Sequence, residues 1–295
     1  MDVGACTQAI ARDFPALALG TPDVMLTRHS CIIEMAADGV PHIFKFPLND
    51  KLDWRQEVGL LQYLHRQGFG PAPVPDLTGA SAAYFAYPLL AGEAARGLVQ
   101  EQYEGLASDE NAVWLADVLL RLHHISTEGV EIRPDPSLQY PQRVADFLPA
   151  LPDEAADLAG FLKALVDRAR HDPAEAPRHL IHNDLHLANM IVASGSSRLV
   201  ALIDFGFAAL GDRHRDFCQL ERQHPLLLEK VLVQYNARSS AAPIDRGRMA
   251  YLAALDQAAY YAAACTTLAS DVMTRAEILD GLRAASREPL LLGQL

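Results

Sequence analysis

Three oxygen-bearing side chains fall close together in the second half of the chain. The stretch Leu180-Ile181-His182-Asn183-Asp184-Leu185-His186-Leu187-Ala188-Asn189-Met190-Ile191-Val192 precedes Leu199-Val200-Ala201-Leu202-Ile203-Asp204-Phe205-Gly206, with Ser194-Gly195-Ser196-Ser197 between them. Such a turn lets the two apolar runs pair as a short antiparallel hairpin. Counted outward from the turn, Asn189 immediately precedes the first strand and Asp204 immediately follows the second. An amide oxygen and a carboxylate then meet at the open end of one hairpin. That pair suits Mg²⁺, a hard ion that takes oxygen ligands and fills its other positions with water and phosphates. Asp184, on the loop just before, is placed to serve as a base or orienter for an attacking hydroxyl. His182 and His186 are four apart, but they fall on a loop and no third soft ligand follows at a spacing suited to zinc.

The elements that must hold these residues are legible in outline. Cys31 to Met35 and His42 to Phe46 are β-prone runs joined through Ala37-Asp38-Gly39, a hairpin signal. Lys45 alternates with Phe44 and Phe46, so its side chain projects from the face opposite the two rings. A helix is predicted from about Asp53 to Gln67, with Trp54, Val58, Leu61 and Leu64 on an apolar stripe, Glu57 early on it and Gly68 as its stop. After the turn-rich connector 68–75, Ala82 to Leu90 reads as another strand. Beyond Gly92 helices dominate: Ser108 caps one that carries Val113, Trp114, Val118, Leu119 and Leu122, and Met249, Leu252, Leu255, Ala259 and Ala263 form a second stripe. The expected class is α+β, a small mostly β lobe over 1–90 and a larger mostly α lobe over 91–295, with a cleft between.

The order His-x-Asp-x-x-x-x-Asn and then Ile-Asp-Phe-Gly, at His182, Asp184, Asn189 and Asp204, resembles the protein-kinase-like small-molecule kinases, specifically the aminoglycoside phosphotransferase and choline-kinase-like group. Upstream, Ile43-Phe44-Lys45-Phe46-Pro47 looks like that family's phosphate-lysine strand and Glu57 like its helix partner, so the likeness runs from about Met25 to Tyr261. The resemblance implies a two-lobe kinase fold, Asp184 as the catalytic base, Asn189 and Asp204 as Mg²⁺ ligands, and Lys45 on the inner phosphates of ATP or GTP, kept in register by Glu57.

It also implies a hinge at Tyr87-Pro88-Leu89-Leu90-Ala91-Gly92, where the Pro88 carbonyl and the Leu90 amide would face the purine and Tyr87 would narrow the pocket. The phosphate loop would be Leu26-Thr27-Arg28-His29-Ser30, which contains no glycine; Ser30 and neighbouring amides are the groups that would bind phosphate there. His182 would brace the catalytic loop, His186 stands where protein kinases carry a lysine, and Asn183 replaces an arginine of regulated kinases. Gly211-Asp212-Arg213-His214-Arg215-Asp216 looks like the third family motif, with Asp216 as a brace. Phe207 is apolar where many members carry an acid.

Composition sets the outer bounds. The 295 residues are 50% hydrophobic and 21% charged, enough to bury a core. Acidic residues outnumber basic ones, 37 to 25, for a net charge of −12. That balance argues against nucleic acid and against an anionic membrane surface as partners. Met1 to Ala11 lacks a secretory pattern and no apolar run approaches bilayer length, so the expected location is cytoplasmic. Cys6, Cys31, Cys218 and Cys265 show no paired spacing and read as reduced core thiols. Motifs of P-loop, dinucleotide-binding, serine-hydrolase and zinc-protease enzymes are absent.

The acceptor is expected to be a small molecule. Residues 93–158 hold 13 acidic and 4 basic residues, which would steer a cationic acceptor such as an aminoglycoside, although a solvated acidic face has the same composition. Residues 217–295 are balanced, 8 against 8. A kinase of a choline-like amine, a sugar or a macrolide, and a nucleotide-binding pseudokinase, stay as alternatives; the intact Asp184, Asn189 and Asp204 weigh against the last.

Overall fold

The structure, a computed structural model, describes residues 2–27, 29–49, 53–81, 83–171, 178–266, 274–293 and 295. Arg28 of the expected phosphate loop and Ala82 at the start of the expected 82–90 strand lie outside the described residues. Packing divides the chain into two compact units, 1–132 with 184–208 and 133–183 with 209–295. This is a different cut from the lobe boundary expected after residue 90.

In the first unit, helix α1 (Val3–Asp13) precedes a five-stranded antiparallel sheet of β1 (Asp23–Leu26), β2 (Ser30–Ala37), β3 (Val40–Pro47), β4 (Leu77–Thr78) and β5 (Phe85–Pro88), in the order β1-β2-β3-β5-β4. The Asp38-Gly39 turn joins β2 to β3, both residues having positive φ (51° and 79°), as the hairpin signal requires. In-register partners share a face. Cys31, Ile33, Met35, Phe44 and Phe46 therefore form one side and bury against Cys6, Ala9 and Ile10 of α1, a helix not anticipated from the sequence. Ile32, paired with Lys45, and Phe85, also paired with Lys45, lie on the other side. The strand expected over 82–90 is shorter. Gly79 donates to the Tyr84 carbonyl and so closes a turn before β5, and the strand ends at Pro88, which has no N–H to extend a ladder.

Helix α2 (Trp54–Arg66) is capped by Asp53, whose carboxylate accepts from the Arg55 and Gln56 amides, and ends near Gly68 at φ 72°. Glu57 lies in its first turn, on the same buried face as Leu61 and Leu64. After β6 (Glu93–Ala94) come α3 (Gln100–Gly105) and α4 (Asp109–His124), the latter capped by Ser108 as the sequence predicts.

The chain leaves for the second unit, which contains β7 (His179–Ile181), returns with β8 (Met190–Val192) and β9 (Leu199–Leu202), and leaves again with β10 (Ala209–Gly211). The returning hairpin joins the first unit for identifiable reasons. β6 pairs with β8, and the buried Asn111 side chain of α4 donates to the Ser197 carbonyl at 2.7 Å and accepts from the Leu199 amide at 2.8 Å. Gly92 allows the β6 approach: its φ is 145°, and a Cβ there would overlap the Val192 carbonyl.

The second unit holds α5 (Tyr140–Phe147), α6 (Ala159–His171), α7 (Arg215–Gln223), α8 (Pro225–Arg238), α9 (Arg246–Thr266), α10 (Arg275–Ala285) and α11 (Pro289–Leu292). Helix α9 is its spine, in contact with α5, α7 and α10. Met249, Tyr251, Leu252, Leu255, Ala258, Ala259, Tyr261 and Ala262 of α9 are all buried. Among the described residues no helix is long and apolar enough to cross a membrane.

Candidate active site

Lys45 is the centre of the first cluster. It is buried, and its Nζ donates to both Glu57 carboxylate oxygens at 2.8 Å and to Asp204 Oδ1 at 2.7 Å. Strand β3 supplies the lysine, the first turn of α2 the glutamate and the end of β9 the aspartate. The ring of Phe85, its cross-strand partner, lies 5.9 Å from Nζ. Burial disfavours the ammonium charge, but Glu57 and Asp204 outweigh it and hold the Lys45 pKa above its usual range. Nearby Tyr87 is buried, and its phenol is pushed well above the ordinary tyrosine range chiefly by desolvation.

The second cluster surrounds Asp184. Asn189 Nδ2 donates to the Asp184 carbonyl at 2.9 Å and to its Oδ2 at 3.2 Å, while His186 Nε2 lies 3.5 Å from the same Oδ2. Burial opposes protonation of His186; Asp184 and then Asp204 overcome it and raise its pKa. Both carboxylates therefore act on one imidazole. The hairpin brings Asn189 and Asp204 to the same end, as counting outward from its turn predicts: Met190 pairs with Leu202, and Ile203 N donates to the Asn189 carbonyl at 2.9 Å. Asp204 itself has left-handed backbone angles, φ 63° and ψ 64°, an unfavourable conformation for a residue with a Cβ.

This donor set fits Mg²⁺. Asn189 directs its amide nitrogen to Asp184, which leaves Oδ1 as the atom for a cation, and Asp204 adds a carboxylate. Among the described residues there is no group of three His, Cys, Asp or Glu that could hold a metal. Two protein oxygens, completed by phosphate and water, match the way Mg²⁺ is ordinarily bound.

Ser30, Pro88 and Leu90 lie apart from these clusters in the described contacts. Ser30 opens β2, is 3% exposed, and its amide donates to Thr27 Oγ1 at 2.9 Å. Thr27, which the sequence reading includes in this loop without a role of its own, thus holds the amide expected to meet phosphate. At the other end of the sheet Leu89 N donates to the Pro41 carbonyl, so the next pair, His42 with Pro88, is a non-hydrogen-bonded one and the Pro88 carbonyl turns away from β3. The Leu90 amide has no hydrogen-bond partner among the described residues.

A polar network in the second unit holds the residues before Asp184. Asp216, fully buried, accepts from the His182 amide at 2.9 Å and the Asn183 amide at 2.7 Å. Asn183 has φ 63°, and its side chain donates to Asp135 Oδ1 at 3.3 Å and accepts from Arg215 Nε at 3.0 Å. Arg215 also contacts Asp135 Oδ2 at 3.2 Å and both Asp256 oxygens at 2.8 and 2.9 Å. Sequence reasoning finds Asp216 but not Asp135, Arg215 or Asp256. Arg215 lies within the third motif; nothing local marks Asp135 or Asp256.

Residues 37–264 match the sequence profile described as the phosphotransferase enzyme family. An aminoglycoside 3'-phosphotransferase from Streptomyces fradiae is 27% identical over 238 residues, covering 72% of this chain and 81% of that one. Among solved structures, the GDP complex of wild-type aminoglycoside 2'-phosphotransferase-IIIa has a TM-score of 0.75 at 18% identity, over 97% of this chain and 99% of that one. A choline/ethanolamine kinase family protein from Mesorhizobium loti gives 0.70 at 15% identity, over 99% and 96%. Both share the α+β, protein-kinase-like fold with this chain. The profile covers most of the sequence, and on it the chain belongs to the phosphotransferase enzyme family as a small-molecule O-phosphotransferase.

Proposed function

We propose that the protein transfers the γ-phosphate of ATP or GTP to a hydroxyl of a small molecule, with an aminoglycoside the favoured acceptor. The observation that carries this reading is the buried Lys45 bridging Glu57 and Asp204, beside the cluster of Asp184, His186 and Asn189. A lysine held at a fixed point by two carboxylates is a preorganised charge for the inner phosphates. Asp204 and Asn189 would hold Mg²⁺, which supplies neutralisation of phosphate charge. The Pro88 carbonyl and the Leu90 amide would read the purine edge. Asp184 accepts a hydrogen bond from the acceptor hydroxyl and orients that oxygen in line with phosphorus. It takes the proton as the new O–P bond forms and the bond to the bridging oxygen breaks. No phosphorylated protein intermediate is required. The relatives' named substrates support a small-molecule acceptor, the net charge of −12 argues against nucleic acid or an anionic membrane surface as partner, and use of a nucleoside triphosphate would fit a cytoplasmic place of action.

The acidic excess over 93–158 supports a cationic acceptor, but the fold tempers it. Asp135 is engaged by Arg215, Glu154 by Arg275 and Asp157 by Arg283, all arginines from outside that stretch. This favours, as a second reading, an acceptor with less charge, such as a macrolide, sugar or choline-like amine. The test is consumption of ATP and of GTP by the purified protein against aminoglycosides, macrolides, choline and sugars. Phosphorylation of an aminoglycoside confirms the first reading and of another class the second. Nucleotide binding without transfer to any acceptor would leave a pseudokinase.

A further inference from the structure

Strand β6 runs beside the hairpin that ends in Asn189 and Asp204. Glu93 pairs with Val192 and Ala94 with Ile191, antiparallel, so the next positions, 95 and 96, count on toward 190 and 189. The packing agrees with that count: the short helical turn Ala95–Gly97 lies against the turn Leu187–Asn189. Ala95 is buried and anchors the segment, while Arg96 beside it is exposed. Arg96 is thereby brought alongside the cluster of Asp184, His186 and Asn189.

Among the described residues Arg96 has no hydrogen bond and no ion pair. The acids closest to it in this arrangement are engaged elsewhere. Glu93 Oε1 accepts from the Gly195 amide at 3.3 Å, and Asp184 Oδ2 meets Asn189 and His186. The Arg96 charge still reaches the cluster: with burial, the larger influence, it opposes protonation of His186, against Asp184 and Asp204. A guanidinium keeps its charge at any working pH and presents a planar fork of donors that matches phosphate oxygens. In phosphoryl transfer the charge spreads over the three equatorial oxygens of the group in flight. A cation that meets those oxygens at that moment lowers the barrier, where one that meets them equally in the ground state only tightens binding.

We propose that Arg96 is a catalytic arginine supplied from within the chain, donating to the equatorial oxygens of the phosphoryl group as it passes from nucleotide to acceptor. The inference rests on the phosphotransfer reading above. The acceptor oxygen bonds to phosphorus, the bond to the bridging oxygen breaks and its electron pair leaves with the diphosphate, and the acceptor proton goes to Asp184. Arg96 keeps its protons throughout.

The test compares the parent with Arg96→Ala and Arg96→Lys, each first shown by thermal melting to be folded. Turnover is measured with MgATP and MgGTP against water, as release of inorganic phosphate, and against the acceptor set above. Binding is measured for a non-hydrolysable triphosphate analogue, and for the diphosphate with Mg²⁺ and aluminium fluoride, a mimic of the group in flight. Loss of a donor aimed at transition-state charge predicts turnover at least about 10² lower in Arg96→Ala. The aluminium fluoride complex weakens comparably, while triphosphate affinity stays within about threefold of the parent. Arg96→Lys keeps part of the turnover, and added guanidinium ion restores part of it to Arg96→Ala but none to Asp184→Asn. Unchanged turnover overturns the assignment. So does equal weakening of the triphosphate analogue and the aluminium fluoride complex, or a rise in acceptor KM alone, which makes Arg96 an acceptor contact. A parent that neither hydrolyses the nucleotide nor transfers to any acceptor overturns the phosphotransfer reading, and this inference with it.

Discussion

Lys45 Nζ lies 2.7 Å from Asp204 Oδ1, although 159 positions separate the two residues. The same ammonium holds Glu57 through both of its oxygens. The two carboxylates differ in setting: the Glu57 side chain is 4% exposed and that of Asp204 36%. Glu57 is therefore the buried anchor of the lysine, and Asp204 is its more exposed partner.

The anchor has a consequence for stability. Lys45→Met leaves the buried Glu57 charge without its main partner, which costs about 3–5 kcal/mol when a buried pair is broken. Adding Glu57→Gln removes that charge and recovers at least half of the loss, while phosphotransfer stays abolished in both variants. Urea unfolding midpoints and turnover, measured together, check this. Full activity in the double variant would show that Lys45 serves only the fold.

Asp204→Asn keeps the size of the side chain but removes its charge. Nucleotide affinity measured with and without Mg²⁺ should show the metal-dependent increment shrinking. An increment equal to the parent's removes Asp204 from the metal site.

For Asp184→Asn, loss of general base help of about 10² to 10⁴ predicts turnover at least about 10² lower, with nucleotide affinity within a few fold. Asn189 can still donate to the backbone carbonyl at 184, so the loop keeps one of its two contacts. A stable variant that turns over near the parent rate moves the base elsewhere.

Asp216 accepts two backbone hydrogen bonds from the residues before Asp184. Asp216→Ala strands the amides of His182 and Asn183 in a buried place, at about 1–3 kcal/mol for each unsatisfied group. A melting temperature unchanged from the parent would contradict this account of the brace.

Asp212 sets an acid limit on the second unit. Burial raises its pKa, but His214 at 2.6 Å and Arg248 at 2.8 Å outweigh burial and hold it well below the ordinary range. A depressed folded pKa gives stability that is present above the unfolded value of about 4 and is lost as pH falls through the folded one. The stability gap between the parent and Asp212→Asn should be full at pH 6, start to narrow below about pH 4 and go on narrowing as the pH falls further. Unfolding curves over that range decide it; a gap that widens with acid reverses the sign of the argument.

What the sequence determined by itself was local chemistry and period. The turn 194–197 and its flanking apolar runs bring Asn189 and Asp204 to one hairpin end because antiparallel pairing allows no other outcome. Alternation along β3 likewise put Lys45 opposite Phe44 and Phe46, and Asp53 and Ser108 marked two helix starts. Tertiary structure decided the rest, since its partners are far apart in the chain and carry no period. Helix α1 is covered only because Cys31 and Ile33 receive Cys6 and Ile10. Hairpin 190–202 packs with the first 132 residues because β6 and Asn111 hold it there. The acid-rich stretch 93–158 loses part of its apparent charge to Arg215, Arg275 and Arg283, and the Ser30 amide is taken by Thr27. Charge counts and motif spacing register which groups exist; a hydrogen bond or ion pair depends on where folding sets the second group, within about 3 Å.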